Sequence, residues 1–224
     1  MRSGDDGPDA PAVPARVKAG ARVRGHLRAA SIAALALLLG APSAAEEQER
    51  SAAELMDVLM WNREPVGGPF ALTDQNGRTR TDVDFRGRLM LVYFGFSYCP
   101  DICPTDLQEM SRAVDLLGTE GEHVQPIFIT VDPERDTPAH LSGYAALFHP
   151  RLVALTGEGS AIRRVARAYK ASFAKADTGH GKYTVDHSAY VYLMDRDGSY
   201  LGFFPPNTSA ERMVTIIRPH LRPR

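Results

Sequence analysis

Cysteine is scarce in this chain: of 224 residues only Cys99 and Cys103 carry a thiol. That excludes a disulfide-dense scaffold, and it removes the third and fourth thiolates that a structural zinc site usually draws on. A bridge between two cysteines this close would close too small a loop to gain much from chain entropy. Reactivity or metal binding therefore explains the pair better than a structural staple.

Long apolar runs are rare as well. The run at 29–41 is 13 residues long, against the roughly 20 needed to cross a bilayer. It follows a basic segment (Arg16, Lys18, Arg22, Arg24, Arg28) and precedes the small-residue stretch Ser43-Ala44-Ala45. Basic, apolar and small-x-small in that order form the pattern of a secretory signal. Residues 1–45 are read as an export signal, cleaved rather than retained as an anchor. They contain no cysteine to carry a lipid and no Arg-Arg pair for twin-arginine export. Removing this segment of net +3 from a chain of net −1 leaves about −4. A weakly acidic domain with no basic stripe argues against nucleic-acid binding. No repeat is present, and no low-complexity segment lies outside the signal region.

Residues 46–64 read as a polar linker with a short helix near 52–60, Trp61 packing on the domain that spans 65–224. Within it, Asp74-Gln75-Asn76-Gly77 is a hairpin turn signal flanked by 70–73 and 78–81. Leu89-Met90-Leu91-Val92-Tyr93-Phe94 is apolar on both faces, as a central strand covered by helices requires. Leu107, Met110, Val114 and Leu117 share one face of a helix over 105–117. A second central strand is expected at 124–131, with Pro126 limiting its start. Thr137-Pro138 starts a helix running to about Phe148. A strand at 152–156 and a basic amphipathic helix at 160–173 follow. Residues 174–186 read as a polar loop, 188–194 and 200–204 as a hairpin, and Thr208 with Glu211 as the capping box of a last helix through Ile217. This α/β order predicts a thioredoxin-like fold: a central mixed sheet with helices on both faces and an N-terminal β-hairpin.

The chemistry lies in Phe94-Gly95-Phe96-Ser97-Tyr98-Cys99-Pro100-Asp101-Ile102-Cys103-Pro104. This segment leaves the carboxyl end of a central strand, where sites form in open α/β sheets, and enters a helix. Pro104 suits a first helical position, which puts Cys103 at or near the N-cap and Cys99 just before it. Free N–H groups and the positive end of the helix dipole favour a thiolate there. A third ligand would separate metal work from redox work, since two thiolates and an imidazole suit copper(I). His187, between the long loop and the strand 188–194, is the first candidate, and a surface or core histidine is its alternative. His180 is the next. His26 falls in the signal region, and His123, His140, His149 and His220 read as solvated surface residues.

FGFSYCPDICPTDL, then ITVDPERDTP, then TVDHSAYVYLMDRDG, together resemble the motif set of the Sco/SenC family over roughly 67–221. The resemblance implies a thioredoxin-like domain whose two cysteines and distal histidine bind a copper ion, Cu(I) with Cu(II) as the alternative state. Position by position these are Cys99, Cys103 and His187. It further implies an exported, periplasmic or otherwise extracytoplasmic metallochaperone that delivers copper to, or matures, the dinuclear copper centre of cytochrome c oxidase. Its partner would be a copper-protein target such as an oxidase subunit; no copper donor is identified. Members are commonly held by an uncleaved membrane helix, so membrane association through the N-terminal segment stays open although the apolar run is short. Asp132 and Asp186 also match family positions and are given supporting roles.

Two other functions compete. One is a thiol–disulfide oxidoreductase that uses Cys99 and Cys103 as a redox pair to reduce a copper-protein target. The C-x-x-x-C spacing and the lack of a proline before Ser188 speak against it. The other is a peroxidase with Thr105 and Arg135 assisting one thiolate, which nothing in the sequence selects.

Overall fold

A computed structural model describes residues 52–61 and 64–222. The expected export signal at 1–45 and the side chain of Trp61 lie outside the described residues. Helix α1 (Ala52–Trp61) precedes the domain. Strands β1 (Ala71–Asp74) and β2 (Thr79–Thr81) then form the expected hairpin. The Asp74 carboxylate makes that turn, accepting from the backbone N–H of Asn76 and Arg78 at 2.9 and 3.0 Å. Gly77 supplies the positive φ of +77° that the return requires.

The sheet is mixed, in the order β2-β1-β5-β4-β3-β8-β9. Strands β3 (Leu89–Gly95), β4 (Val124–Thr130) and β5 (Val153–Thr156) are parallel, while β8 (Val191–Met194) and β9 (Tyr200–Phe204) continue it antiparallel. Every residue of β3 and β4 is buried, so both faces of the central sheet are covered. This is why their sequences lack alternation. The ladder from β4 to β5 begins at Ile127, one residue after Pro126, which has no N–H to extend it.

Helix α2 (Ile102–Leu116) buries Cys103, Leu107, Met110 and Val114. It starts three residues earlier than its apolar spacing suggests, so Cys103 lies inside the first turn rather than at the cap. Pro104 is then the third helical residue, still within the turn whose N–H groups have no intrahelical acceptor. Helix α3 (Pro138–Ala145) is capped as expected by Thr137, whose hydroxyl accepts from His140 N. Helix α4 (Gly159–Ala168) ends before 173, the chain reversing at Lys170 with φ +59°.

Helix α5 (Ala210–Leu221) is capped by Ser209; Thr208 instead donates to Pro205 O at 2.6 Å. It passes through Pro219, and the Arg196 guanidinium takes up the terminal carbonyls of His220 and Leu221 at 3.1 and 3.0 Å.

The largest departure from the sequence reading is at 174–186, which is not a loop. It is most of an antiparallel ribbon, β6 (Phe173–Gly179) with β7 (Lys182–His187). Its turn uses three consecutive positive-φ residues, Gly179, His180 and Gly181. Most of its side chains are exposed, so no hydrophobic alternation marks it; only Val185 is buried. His187 accordingly ends β7 instead of opening the next strand, which starts only at Val191.

Strand β3 ends on a glycine for a steric reason. A Cβ at Gly95 would lie 2.8 Å from the Tyr93 ring, 2.9 Å from Cys103 Sγ and 3.1 Å from the Phe128 ring. Gly95→Ala is expected to destabilise the domain by about 1–3 kcal/mol, lowering the melting temperature by about 2–4 °C per kcal/mol. Gly143→Ala, whose Cβ meets nothing within 4 Å in α3, should melt no lower than the parent. Thermal denaturation followed by circular dichroism checks both.

Candidate metal centre

The loop leaving β3 is fixed before it reaches the cysteines. Ser97 N donates to Asp136 Oδ2 at 3.0 Å, and the Ser97 hydroxyl donates to Asp136 Oδ1. Asp136 is fully buried and also accepts from Thr130 Oγ1 at the end of β4. The Cys99 amide then donates to Phe96 O at 3.2 Å, turning the chain toward α2. Cys103 is buried and Cys99 is partly exposed. The first-turn amide of Cys103 points at Cys99 Sγ, 3.5 Å away.

His187 arrives from the ribbon, 84 residues after Cys103, and places Nε2 3.2 Å from Cys103 Sγ. Its ring stands edge-on between aromatic neighbours, with centroids 5.8 Å from Phe96 and 6.2 Å from Tyr93 at near-perpendicular planes. Nδ1 is buried without a hydrogen-bond partner, so Nε2 is the atom turned toward the sulfurs. One ligand atom from each of Cys99, Cys103 and His187 lies within 4.8 Å of the others. Among the described residues this is the one such group. Two sulfurs and an imidazole form a soft donor set that could hold a thiophilic ion.

The ribbon is held by the loop after β4. Asp132, fully buried, accepts from Tyr183 OH at 2.8 Å and pairs with Arg135 Nε. Arg135 also donates to Tyr183 O at 3.1 Å, with its guanidinium 3.9 Å from the Tyr183 ring and 4.8 Å from the Tyr98 ring. Asp132 thus supports the site through Tyr183. Asp186 is exposed on the ribbon, opposite Ala174. His180 sits in the ribbon turn and Thr105 donates to Asp101 O, neither belonging to the three-ligand group. Arg135 is engaged with Asp132 and Tyr183 rather than with a cysteine. Asp136 and Tyr183 escape sequence reasoning; the only available signal is the charged run Asp132-Pro133-Glu134-Arg135-Asp136 directly after a central strand.

The two thiols differ in charge. Cys99 is held down to about 3, chiefly by a hydrogen bond from Cys103, with His187 and the amides of Asp101 and Cys103 adding to it against the cost of burial. Cys103 is pushed far above its ordinary value by that same hydrogen bond and by burial. The pair therefore keeps one proton, on the buried sulfur. Asp106, one turn further along α2, is raised by burial while its Oδ1 accepts from Asn207 N at 2.8 Å.

Fold and site together define a thioredoxin-like domain with a Cys₂His group beyond the end of its central strand that could hold a metal ion. The chain belongs to the SCO1/SenC family, whose profile matches residues 60–222. It is 43% identical over 157 residues to the mitochondrial SCO2 homolog of Bos taurus, covering 69% of this chain and 59% of the bovine protein. A SCO2-like protein of Rickettsia prowazekii is 41% identical over 155 residues, covering 68% of this chain and 76% of that protein. Among solved structures, Bradyrhizobium japonicum ScoI with copper bound superposes with a TM-score of 0.65. It is 42% identical, covering 69% of this chain and 99% of that one.

A depressed thiolate changes reactivity with a definite sign. The rate of Cys99 alkylation by iodoacetamide should stay nearly flat from pH 8 down to pH 5. An unperturbed thiol loses about tenfold per pH unit over that range. Cys103 should remain unmodified. Peptide mass spectrometry of the reduced protein checks this, and a tenfold fall per unit at Cys99 would refute the assignment.

Proposed function

We propose that this chain is an exported copper-binding metallochaperone acting on the dinuclear copper centre of cytochrome c oxidase, with Cys99, Cys103 and His187 as its copper ligands. The observation that carries the reading is the convergence of two sulfurs and Nε2 within 4.8 Å from two separate elements. Membership of the SCO1/SenC family and the copper-bound state of the similar B. japonicum protein support it. The export signal read at 1–45 supports an extracytoplasmic location.

The residues divide the work of carrying an ion. Cys99 is already a thiolate and partly exposed, so it is the first ligand to meet an arriving ion and the one an acceptor's cysteine displaces. Cys103 is buried and protonated, so it gives up its proton as copper binds and regains one on release. His187 completes the set from the ribbon, its ring orientation fixed by Phe96 and Tyr93. The donor set suits soft copper(I). Transfer then proceeds by stepwise exchange of thiolates, with no change in oxidation state.

A second reading, thiol–disulfide exchange with a copper-protein target, draws on one observation: a depressed Cys99 thiolate beside a protonated partner is the arrangement of an attacking and a resolving thiol. The copper reading is preferred because it uses His187 Nε2, 3.2 Å from Cys103 Sγ, as a third donor, and because the similar B. japonicum protein is copper-bound.

Titration of the reduced protein with copper(I) against a competing chelator tests the assignment. One tightly bound copper is expected, with affinity reduced at least about tenfold in His187→Ala and the fold retained. Unchanged affinity in the variant would overturn the ligand set. Because Cys103 is a thiol in the free protein, binding releases one proton. Apparent affinity should therefore rise about tenfold per pH unit between pH 6 and 8, measurable in the same competition.

A further inference from the structure

His140 lies on the exposed side of α3, yet its imidazole grips two consecutive residues of the cysteine loop. Its Nε2 is 2.8 Å from Ser97 Oγ, and its ring stacks on Tyr98 with centroids 5.1 Å apart and planes 9° from parallel. The direction of the hydrogen bond follows from counting protons. Ser97 Oγ has one hydrogen, and that hydrogen goes to the Asp136 carboxylate, which can only accept. Toward His140, Ser97 is therefore the acceptor, and Nε2 must carry the proton. The contact is made by the neutral Nε2–H tautomer and by imidazolium alike.

The position of this grip matters more than its strength. Ser97 and Tyr98 immediately precede Cys99, the partly exposed cysteine of the pair. On the copper reading Cys99 is the ligand that an acceptor displaces, and the contacts that hold the loop at 97–99 govern how readily its sulfur leaves Cys103 and His187. Asp136 holds that loop from within the fold. Tyr98, 52% exposed, would otherwise be free on its outer side apart from the Arg135 guanidinium. His140 supplies the outer restraint, from a helix that carries none of the three ligands.

We propose that His140 is a positioning residue that latches the cysteine loop and sets the rate at which Cys99 releases its ion. The inference rests on the copper reading above and goes beyond it by assigning release kinetics to a residue outside the ligand set.

The test uses the full chain in three states of one position: the parent, His140→Ala, and His140→Gln, which keeps an N–H donor. In the apo protein, ¹⁵N NMR should find the neutral His140 ring as the Nε2–H tautomer. Amide hydrogen exchange at Ser97, Tyr98 and Cys99 should quicken in H140A, while the melting temperature falls by no more than about 2–4 °C. In the copper(I)-loaded protein, transfer to an excess of chelator should be about fivefold faster in H140A, the factor expected from losing one hydrogen bond of ordinary strength, and intermediate in H140Q. Transfer and loop exchange in H140A equal to the parent's, or an Nδ1–H tautomer, would overturn the latch. A parent that binds no copper would overturn the proposed function instead, while the tautomer and exchange measurements on the apo protein would still decide the latch.

Discussion

Two carboxylates buried in the loop after β4 hold both halves of the candidate metal centre. Asp136 takes the amide and hydroxyl of Ser97 and so fixes the cysteine loop; Asp132 takes the hydroxyl of Tyr183 and the guanidinium of Arg135 and so fixes the ribbon that ends in His187. Burying a carboxylate is costly unless its oxygens are satisfied by donors. Here the donors are the very groups whose placement the site requires. The distance between Cys103 and His187 is therefore set by a loop that contributes no ligand.

The same economy of position explains the unequal cysteines. Both lie within one turn of a helix start, where free amides and the dipole favour negative charge. Only one thiolate can form cheaply, because the second would sit beside the first in a buried environment. The partly exposed cysteine, Cys99, takes the charge and the buried one, Cys103, keeps the proton.

The thioredoxin-like frame contributes rigidity. Strands β3 and β4, buried along their whole length, end side by side at Gly95 and Thr130. Gly95 lets Tyr93, Phe128 and Cys103 close over the strand end. Around this fixed floor stand the cysteine loop, the ribbon and α3, joined to one another through side chains rather than through backbone ladders. Parts joined in that way can separate without unfolding the sheet.

Much of this was legible in the amino-acid sequence. The continuous apolar runs of β3 and β4 announced central strands, because a strand covered on both faces has no polar side to show. The Asp-Gln-Asn-Gly turn, the Thr137-Pro138 cap and the short C-x-x-x-C loop were equally plain, being local: a few adjacent residues decide them by backbone geometry alone. The ribbon at 173–187 was not legible, since its residues are mostly exposed and its register is held by Tyr183 against a loop about 50 residues away. Nor were Asp136 as the anchor of the cysteine loop, Ser209 rather than Thr208 as the last cap, or which sulfur carries the charge. The sequence by itself determined the strands of the central sheet, the Asp74–Gly77 turn and the pairing of two thiols at a helix start, because those follow from neighbours along the chain. Tertiary structure alone decided that an imidazole 84 residues distant meets them, and how their one proton is shared. Both depend on burial and on donors brought from elsewhere in the fold.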